Sequence, residues 1–386
     1  MKQVALVHDW LVSMRGGERC LEAMCELFPE ADLYTLVHDP GKVSPVIEGR
    51  TVRTSFIQKL PRAGRNYRYY LPLFPTAIER FDFSSYDLII SSSHCVAKGA
   101  RRSSSALHVS YTYTPMRYAW DLYEDYFGNW AYPLKTAAIP ALMGYLRRWD
   151  RRACRGVDHF VAISRHVAER IHRHYDREAA IIYPPVDVDR FRPRRTHSGY
   201  YLMVSAFVPY KRIDLAITAF NRLRAPLKIV GWGPDEKRLR TIAGPTIEFL
   251  NERTDQDLVP LYAGCRALIF PGEEDFGIVP LEAQASGKPV IAYARGGALE
   301  TVFPCNPASP DGACPSAPTG VFFFEQTADA MVEAVRIFEK EADTFDPDRL
   351  HEHAKQFDRS VFKEKFRTFI ADRWRMFQES GHAQTA

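Results

Sequence analysis

Nowhere in its 386 residues does the chain hold a run of about eighteen apolar residues, so no segment is predicted to cross a bilayer as a helix. The start, Met1 to Trp10, reads as a first β-strand without a cleavable signal, and the expected location is cytoplasmic. Cysteine is sparse and unpaired in pattern. Seven occur, an odd number with no Cys-x-x-Cys, which argues against a disulfide framework and against a zinc site. Cys305 and Cys314 flank a loop rich in Pro, Ala and Ser, where a bridge could close, though a reducing compartment disfavours one. The twelve histidines offer no helix-spaced metal pair with an acid, and the run from His166 reads as a solvated helix face, so no metal is expected. The glycines form neither Gly-x-Gly-x-x-Gly at a first βα turn nor Gly-x4-Gly-Lys-Ser/Thr, which excludes a dinucleotide fold of the usual fingerprint and a P-loop NTPase. No motif that reads a nucleic-acid groove or binds RNA is present, and no nucleic-acid partner is expected.

Charge is distributed unevenly. The net is only +4, yet residues 51–117 carry ten Lys and Arg against three Asp and Glu. Within residues 56–74 the cations alternate with aromatic and apolar side chains, including Arg62, Arg65, Tyr67, Arg68, Tyr69, Tyr70, Leu71 and Phe74. Such a surface suits an anionic membrane or a pyrophosphate-linked acceptor, while an ordinary solvated face remains the alternative.

Apolar β-type runs alternate with helical patterns along the chain, the mark of doubly wound α/β domains. Strands are predicted at 4–8, 33–37, 52–54, 88–91, 108–111, 159–163 and 180–183, which make one Rossmann-like domain over residues 1–187. A Pro-containing polar stretch, 188–199, reads as a linker. The alternation restarts with strands at 201–204, 227–230, 246–250, 267–270 and 290–292, separated by helices, giving a second Rossmann-like domain over 200–358. Residues 359–386 form a terminal helix and tail, with Phe362, Phe366, Phe369, Ile370 and Trp374 on one side.

The segment Pro271-Gly-Glu-Glu-Asp-Phe-Gly-Ile-Val-Pro-Leu-Glu282 concentrates the chemistry. Glu274 lies in a turn after an apolar strand and Glu282 inside the following helix, so both are expected to face one pocket at two depths. Pro280 suits the first helical position, Gly287 the left-handed residue past the end, and Pro289 stops the helix. The unpaired N–H groups around Gly277, Ile278 and Val279, backed by the helix dipole, make a phosphate site. A diphosphate there leaves the two carboxylates to accept hydrogen bonds from hydroxyls, which describes a nucleotide-sugar.

This segment resembles the nucleotide-sugar motif of glycosyltransferase family 4, the retaining transferases of GT-B fold. The resemblance extends through His8-Asp9-Trp10, Arg15-Gly16-Gly17-Glu18, Ser91-Ser-Ser-His94, Thr114-Pro115-Met116-Arg117-Tyr118, Tyr183-Pro-Pro-Val-Asp187, Val208-Pro-Tyr-Lys211-Arg212 and Gly296-Gly297-Ala-Leu-Glu300. These recur together in a subgroup rich in mannosyltransferases that use GDP-mannose for polysaccharide and O-antigen assembly. The resemblance implies two Rossmann-like domains facing a cleft, with the terminal helix crossing back to the first.

By the same resemblance Gly16, Gly17, Lys211, Arg212, Glu274, Asp275, Phe276, Gly277, Ile278, Val279 and Glu282 bind the donor. Glu274, Lys211 and His94 serve the chemistry, and Asp9, Tyr113 and Arg117 lie toward the acceptor. No cofactor and no obligatory metal are implied. The partners are a nucleotide-sugar and a saccharide or polyprenyl-diphosphate-linked acceptor, with the enzyme cytoplasmic or peripheral at the inner membrane face. Two positions depart from the pattern. Ala206 stands where a second phosphate-binding cation is expected, so either Arg212 supplies the charge or the donor is held more weakly. Tyr113 stands where relatives carry His, and His94 or Arg117 is left to compensate. A UDP-sugar donor and a non-catalytic nucleotide-sugar-binding scaffold remain alternatives.

Overall fold

The computed structural model describes residues 3–121, 123, 133–251, 254–305 and 317–383. It divides into two compact units, Met1–Pro185 with Ser360–Ala386, and Val186–Arg359.

In the first unit seven parallel strands follow the order β3-β2-β1-β4-β5-β6-β7. They are β1 (Val4–His8), β2 (Asp32–Thr35), β3 (Val52–Thr54), β4 (Leu88–Ser93), β5 (Leu107–Thr112), β6 (His159–Ala162) and β7 (Ala179–Ile181). Every residue of β4 and β5 is buried, as expected where helices cover both faces of a parallel sheet. The strand order reverses between β1 and β4, and in doubly wound sheets ligands bind beyond the carboxyl ends of the strands at that point. The chain leaves β1 at His8 and β4 at Ser93. The terminal helix Arg359–Ala383 buries Phe362, Phe366 and Ile370, and the rings of Phe362 and Phe366 meet Tyr111 of β5 at 5.6 and 5.8 Å. Burying such side chains stabilises by about 2 kcal/mol each, which ties the end of the chain to the unit where it began.

The second unit holds six parallel strands in the order β10-β9-β8-β11-β12-β13. They are β8 (Tyr200–Val204), β9 (Leu227–Val230), β10 (Ile247–Leu250), β11 (Cys265–Phe270), β12 (Val290–Tyr293) and β13 (Gly320–Phe323). Its reversal lies between β8 and β11, so residues 205–212 and 271–277 emerge at the place where a ligand is expected.

The stretch 188–199, expected as a linker, is instead packed into this unit. Val188 and Phe191 are buried, the Phe191 ring lies 5.8 Å from that of Tyr262, and Lys288 Nζ donates to the carbonyls of Arg194 and Thr196 at 2.8 Å. Its prolines and arginines give it a linker's composition, but two apolar anchors and a buried ammonium decide its place. β13 lies outside the predicted strands, and Cys314 lies outside the described residues.

Candidate active site

In the second unit β11 runs into a turn and then the helix Ile278–Ala285. Gly277 is the N-cap, so the helix opens two residues before the predicted start and Pro280 is its third residue. Because Pro280 has no N–H, the first turn offers the N–H groups of Ile278 and Val279 outward without a competing donor. At the other end Gly287 adopts φ +73°, its N–H bonds Gln284 O at 2.8 Å and that of Lys288 bonds Ala283 O at 2.9 Å, a Schellman ending as the glycine suggested.

Glu274 is held by its backbone. Gly297 N donates to Glu274 O at 2.7 Å, and Gly296, at φ +62°, approaches so closely that a methyl group there would lie 2.3 Å from the same oxygen. Only glycine fits this approach. Its carboxylate bonds directly to Lys211 Nζ, and the two side chains are 12% and 20% exposed. Lys211 ends the 3₁₀ turn Pro209–Lys211 after β8, and Gly272 lets the two loops touch, since a methyl there would sit 3.1 Å from Lys211 Cα.

The other donor candidates fall into two groups. Glu282 is almost buried, and the fully buried Tyr262 donates to its Oε2 at 2.6 Å. Gly277, Ile278 and Val279 are half-buried at the helix start. Asp275 and Phe276 turn inward: Phe276 is 3% exposed and packs 5.8 Å from the Phe357 ring, so its aromatic side chain belongs to the core and not to a donor surface. Arg212 also takes another part. At φ +53° its guanidinium donates to Gln326 at 3.0 Å and lies 3.6 Å from Asp214, while Gln326 donates to Pro271 O at 3.0 Å. Arg212 therefore braces the glutamate turn, and Ala206 is half-buried on the loop before it.

In the first unit the reversal point gathers His8, Asp9, Ser92, His94 and Tyr113. Asp9 is wholly buried. Its carboxylate accepts from the backbone N–H of His94, Cys95, Val96 and Ala97 at 2.7 to 2.9 Å and lies 3.2 Å from His94 Nδ1. Burial alone would raise this carboxyl, but the charges of His94 and His8 and the backbone donors outweigh it and hold it below the usual carboxylate range. Asp9 was expected toward the acceptor; its oxygens are spent on shaping the loop that carries His94. His94 itself is 30% exposed and meets the Trp10 ring edge-on at 4.4 Å, and burial lowers its imidazole against the pull of Asp9.

Gly16 and Gly17 open the helix Gly16–Leu27, and neither has a positive φ. Tyr113 Oη donates to Gly17 O at 2.8 Å and lies 2.7 Å from Ser92 Oγ. Glu18 is buried 3.6 Å from His8 Nε2; burial raises its carboxyl, but the neighbouring His8 imidazole brings it below its ordinary value. Arg117 is half-buried in the segment after β5. The role of Tyr113 and the bracing by Arg212 were not legible in the sequence, because both depend on partners 96 and 114 residues away.

Two family models match the chain: Glycosyltransferase Family 4 over residues 14–190 and Glycosyl transferases group 1 over residues 187–357. The chain thus consists of a glycosyltransferase family 4 domain followed by a glycosyl transferases group 1 domain. It is 32% identical over 184 residues to the GDP-mannose-dependent alpha-(1-6)-phosphatidylinositol monomannoside mannosyltransferase of Mycobacterium tuberculosis, covering 39% of this chain and 48% of that one. It is 33% identical over 105 residues to the O-antigen chain mannosyltransferase C of Escherichia coli, covering 25% and 28%. These matches span less than half the length of the curated relatives. Among solved structures, Anabaena Alr3699/HepE in complex with UDP and glucose aligns over 95% of this chain and 99% of its own, with a TM-score of 0.68 at 16% identity, and establishes the GT-B fold.

Proposed function

We propose that the protein is a retaining glycosyltransferase that moves a hexose, foremost mannose from GDP-mannose, onto a saccharide or polyprenyl-diphosphate-linked acceptor in polysaccharide assembly. The observation that carries this reading is the Lys211–Glu274 pair beside the open helix start at Gly277, at the strand-order reversal of the second unit. A donor diphosphate draws Lys211 and the helix N–H groups to itself, which frees Glu274 to accept from the sugar hydroxyls, while Glu282 accepts from the ribose. The bond from the anomeric carbon to the diphosphate breaks and one to the acceptor oxygen forms on the same face, and the acceptor proton passes to the departing phosphate oxygen. Lys211 and the helix start stabilise the charge that builds on the leaving group, so no metal is assigned.

Mannose is favoured by the likeness to the two mannosyltransferases. A UDP-sugar is the second reading, favoured by the UDP and glucose bound in the Anabaena structure. The exposed Lys59, Arg62, Arg65 and Arg68, together with Tyr69 at 82% and Leu73 at 41% exposure, support peripheral attachment to an anionic inner membrane face.

The test is transfer of radiolabel from GDP-mannose, UDP-glucose and UDP-galactose to a membrane extract, with thermal unfolding alongside. A donor present at 100 times its Kd adds about 2.7 kcal/mol of stability. Stabilisation together with label in the lipid or polysaccharide fraction supports the reading. Binding without transfer or hydrolysis supports a scaffold, and no stabilisation by any of the three overturns it.

A further inference from the structure

Four groups in the first unit form a hydrogen-bonded chain that runs from the end of β1 through β4 and the residue after β5 to the glycine turn. His8 Nδ1 lies 2.9 Å from Ser92 Oγ, Ser92 Oγ lies 2.7 Å from Tyr113 Oη, and Tyr113 Oη lies 2.8 Å from Gly17 O. Its direction follows from counting hydrogens. A backbone carbonyl can only accept, so the single hydroxyl hydrogen of Tyr113 points at Gly17. Tyr113 must then accept from Ser92, and Ser92, its own hydrogen spent, must accept from His8. His8 therefore carries its hydrogen on Nδ1. The opposite nitrogen, Nε2, is buried without a hydrogen-bond partner and faces Glu18 Oε1 at 3.6 Å, and Glu18 lies in the same first turn as Gly17. One end of the chain thus grips the turn at a carbonyl and the other faces it at a carboxylate.

We infer that Tyr113 is a positioning residue: through its bond to the Gly17 carbonyl it holds the first turn of the helix Gly16–Leu27 in the orientation that receives the donor. The inference rests on the donor-binding reading of Gly16 and Gly17 above. It also accounts for the departure at this position. An imidazole is shorter than a phenol, and the phenol here spans from Ser92 to Gly17 as a brace, a task that needs no cation. Sterically the site imposes nothing further, since a methyl group on Gly17 would meet Tyr113 and His8 at ordinary contact distances of 3.5 and 3.7 Å.

The experiment compares the full-length protein with its Tyr113→Phe, Ser92→Ala and doubly substituted variants. Amide hydrogen exchange is followed over residues 16–21, and the affinity for GDP-mannose and UDP-glucose is measured by calorimetry. Loss of one such hydrogen bond is expected to speed exchange in that turn about five- to tenfold and to weaken the bound nucleotide-sugar by a similar factor. Exchange in Ala328–Lys340 of the second unit should stay unchanged. Ser92→Ala added to Tyr113→Phe should cost little more than Tyr113→Phe alone, because the chain is already cut. Unchanged exchange at 16–21 overturns the brace, and faster exchange with unaltered donor affinity overturns its role in donor binding. A wild-type protein that binds neither nucleotide-sugar overturns the donor reading itself, and the exchange data still decide the brace.

Discussion

The two strand-order reversals of this protein occupy equivalent places in related sheets, yet they spend their polar groups in opposite ways. In the first unit Asp9 closes on four backbone donors, and behind it Lys98 and Asp150, both fully buried, pair at 2.7 Å, with Trp120 and Tyr175 donating to the second oxygen of Asp150. Burial disfavours the Lys98 ammonium, but Asp150 more than compensates and raises it. In the second unit Lys211 and Glu274 are partly exposed and hold each other. A polar group with buried partners is structure. One whose partner can be exchanged at the surface is available for chemistry.

Substitutions can break this comparison. The largest effect is expected at Lys98→Met, which leaves Asp150 buried and short of its counter-charge and should cost about 3–5 kcal/mol in urea unfolding. Lys211→Ala, the same type of residue in the other unit, should change stability by less than about 1 kcal/mol. Its damage lies elsewhere: Lys211→Ala and Glu274→Ala should each lower kcat for sugar transfer by about 10²–10³, read with the labelled donor. If Lys211→Ala unfolded the protein as Lys98→Met does, the contrast would collapse.

A third test uses pH. His108 is fully buried on β5 and Ser91 Oγ lies 2.9 Å from its Nε2; burial pushes its imidazole down to about 4 against the pull of Asp158. The unfolded chain takes up this proton near pH 6.5 and the folded one does not, so stability falls as pH drops from about 6.5 to 4 and levels off below. The full loss is roughly 3 kcal/mol, and His108→Gln should remove that part of the pH dependence in denaturant titrations. The smallest effect is reserved for Glu282→Ala, which should raise the donor KM about tenfold with kcat nearly unchanged, since it removes binding common to ground and transition states.

Much of this was legible in one dimension. Strand β3 was predicted with its observed ends, and β1 and β9 likewise, because apolar runs bounded by turn residues announce themselves locally. Gly287 and the glutamate turn were readable for the same reason. What could not be read depends on approach through space. Phe276 sits among donor candidates in sequence, but its ring finds Phe357 81 residues on; residues 188–199 look like a tether until Lys288 captures their carbonyls. The carboxyl ends of β8 and β11 become neighbours only when the sheet order is known, and that order places Lys211 beside Glu274.

The Lys211–Glu274 contact has a consequence for discrimination. On the proposed donor reading, a bare diphosphate that draws Lys211 away breaks its contact with Glu274 without replacing it, and a free sugar that takes Glu274 breaks the same contact from the other side. Only a molecule that presents phosphate and hydroxyls together compensates both residues in one exchange. On that reading the pair behaves as an AND gate, favouring the intact activated sugar over either of its halves.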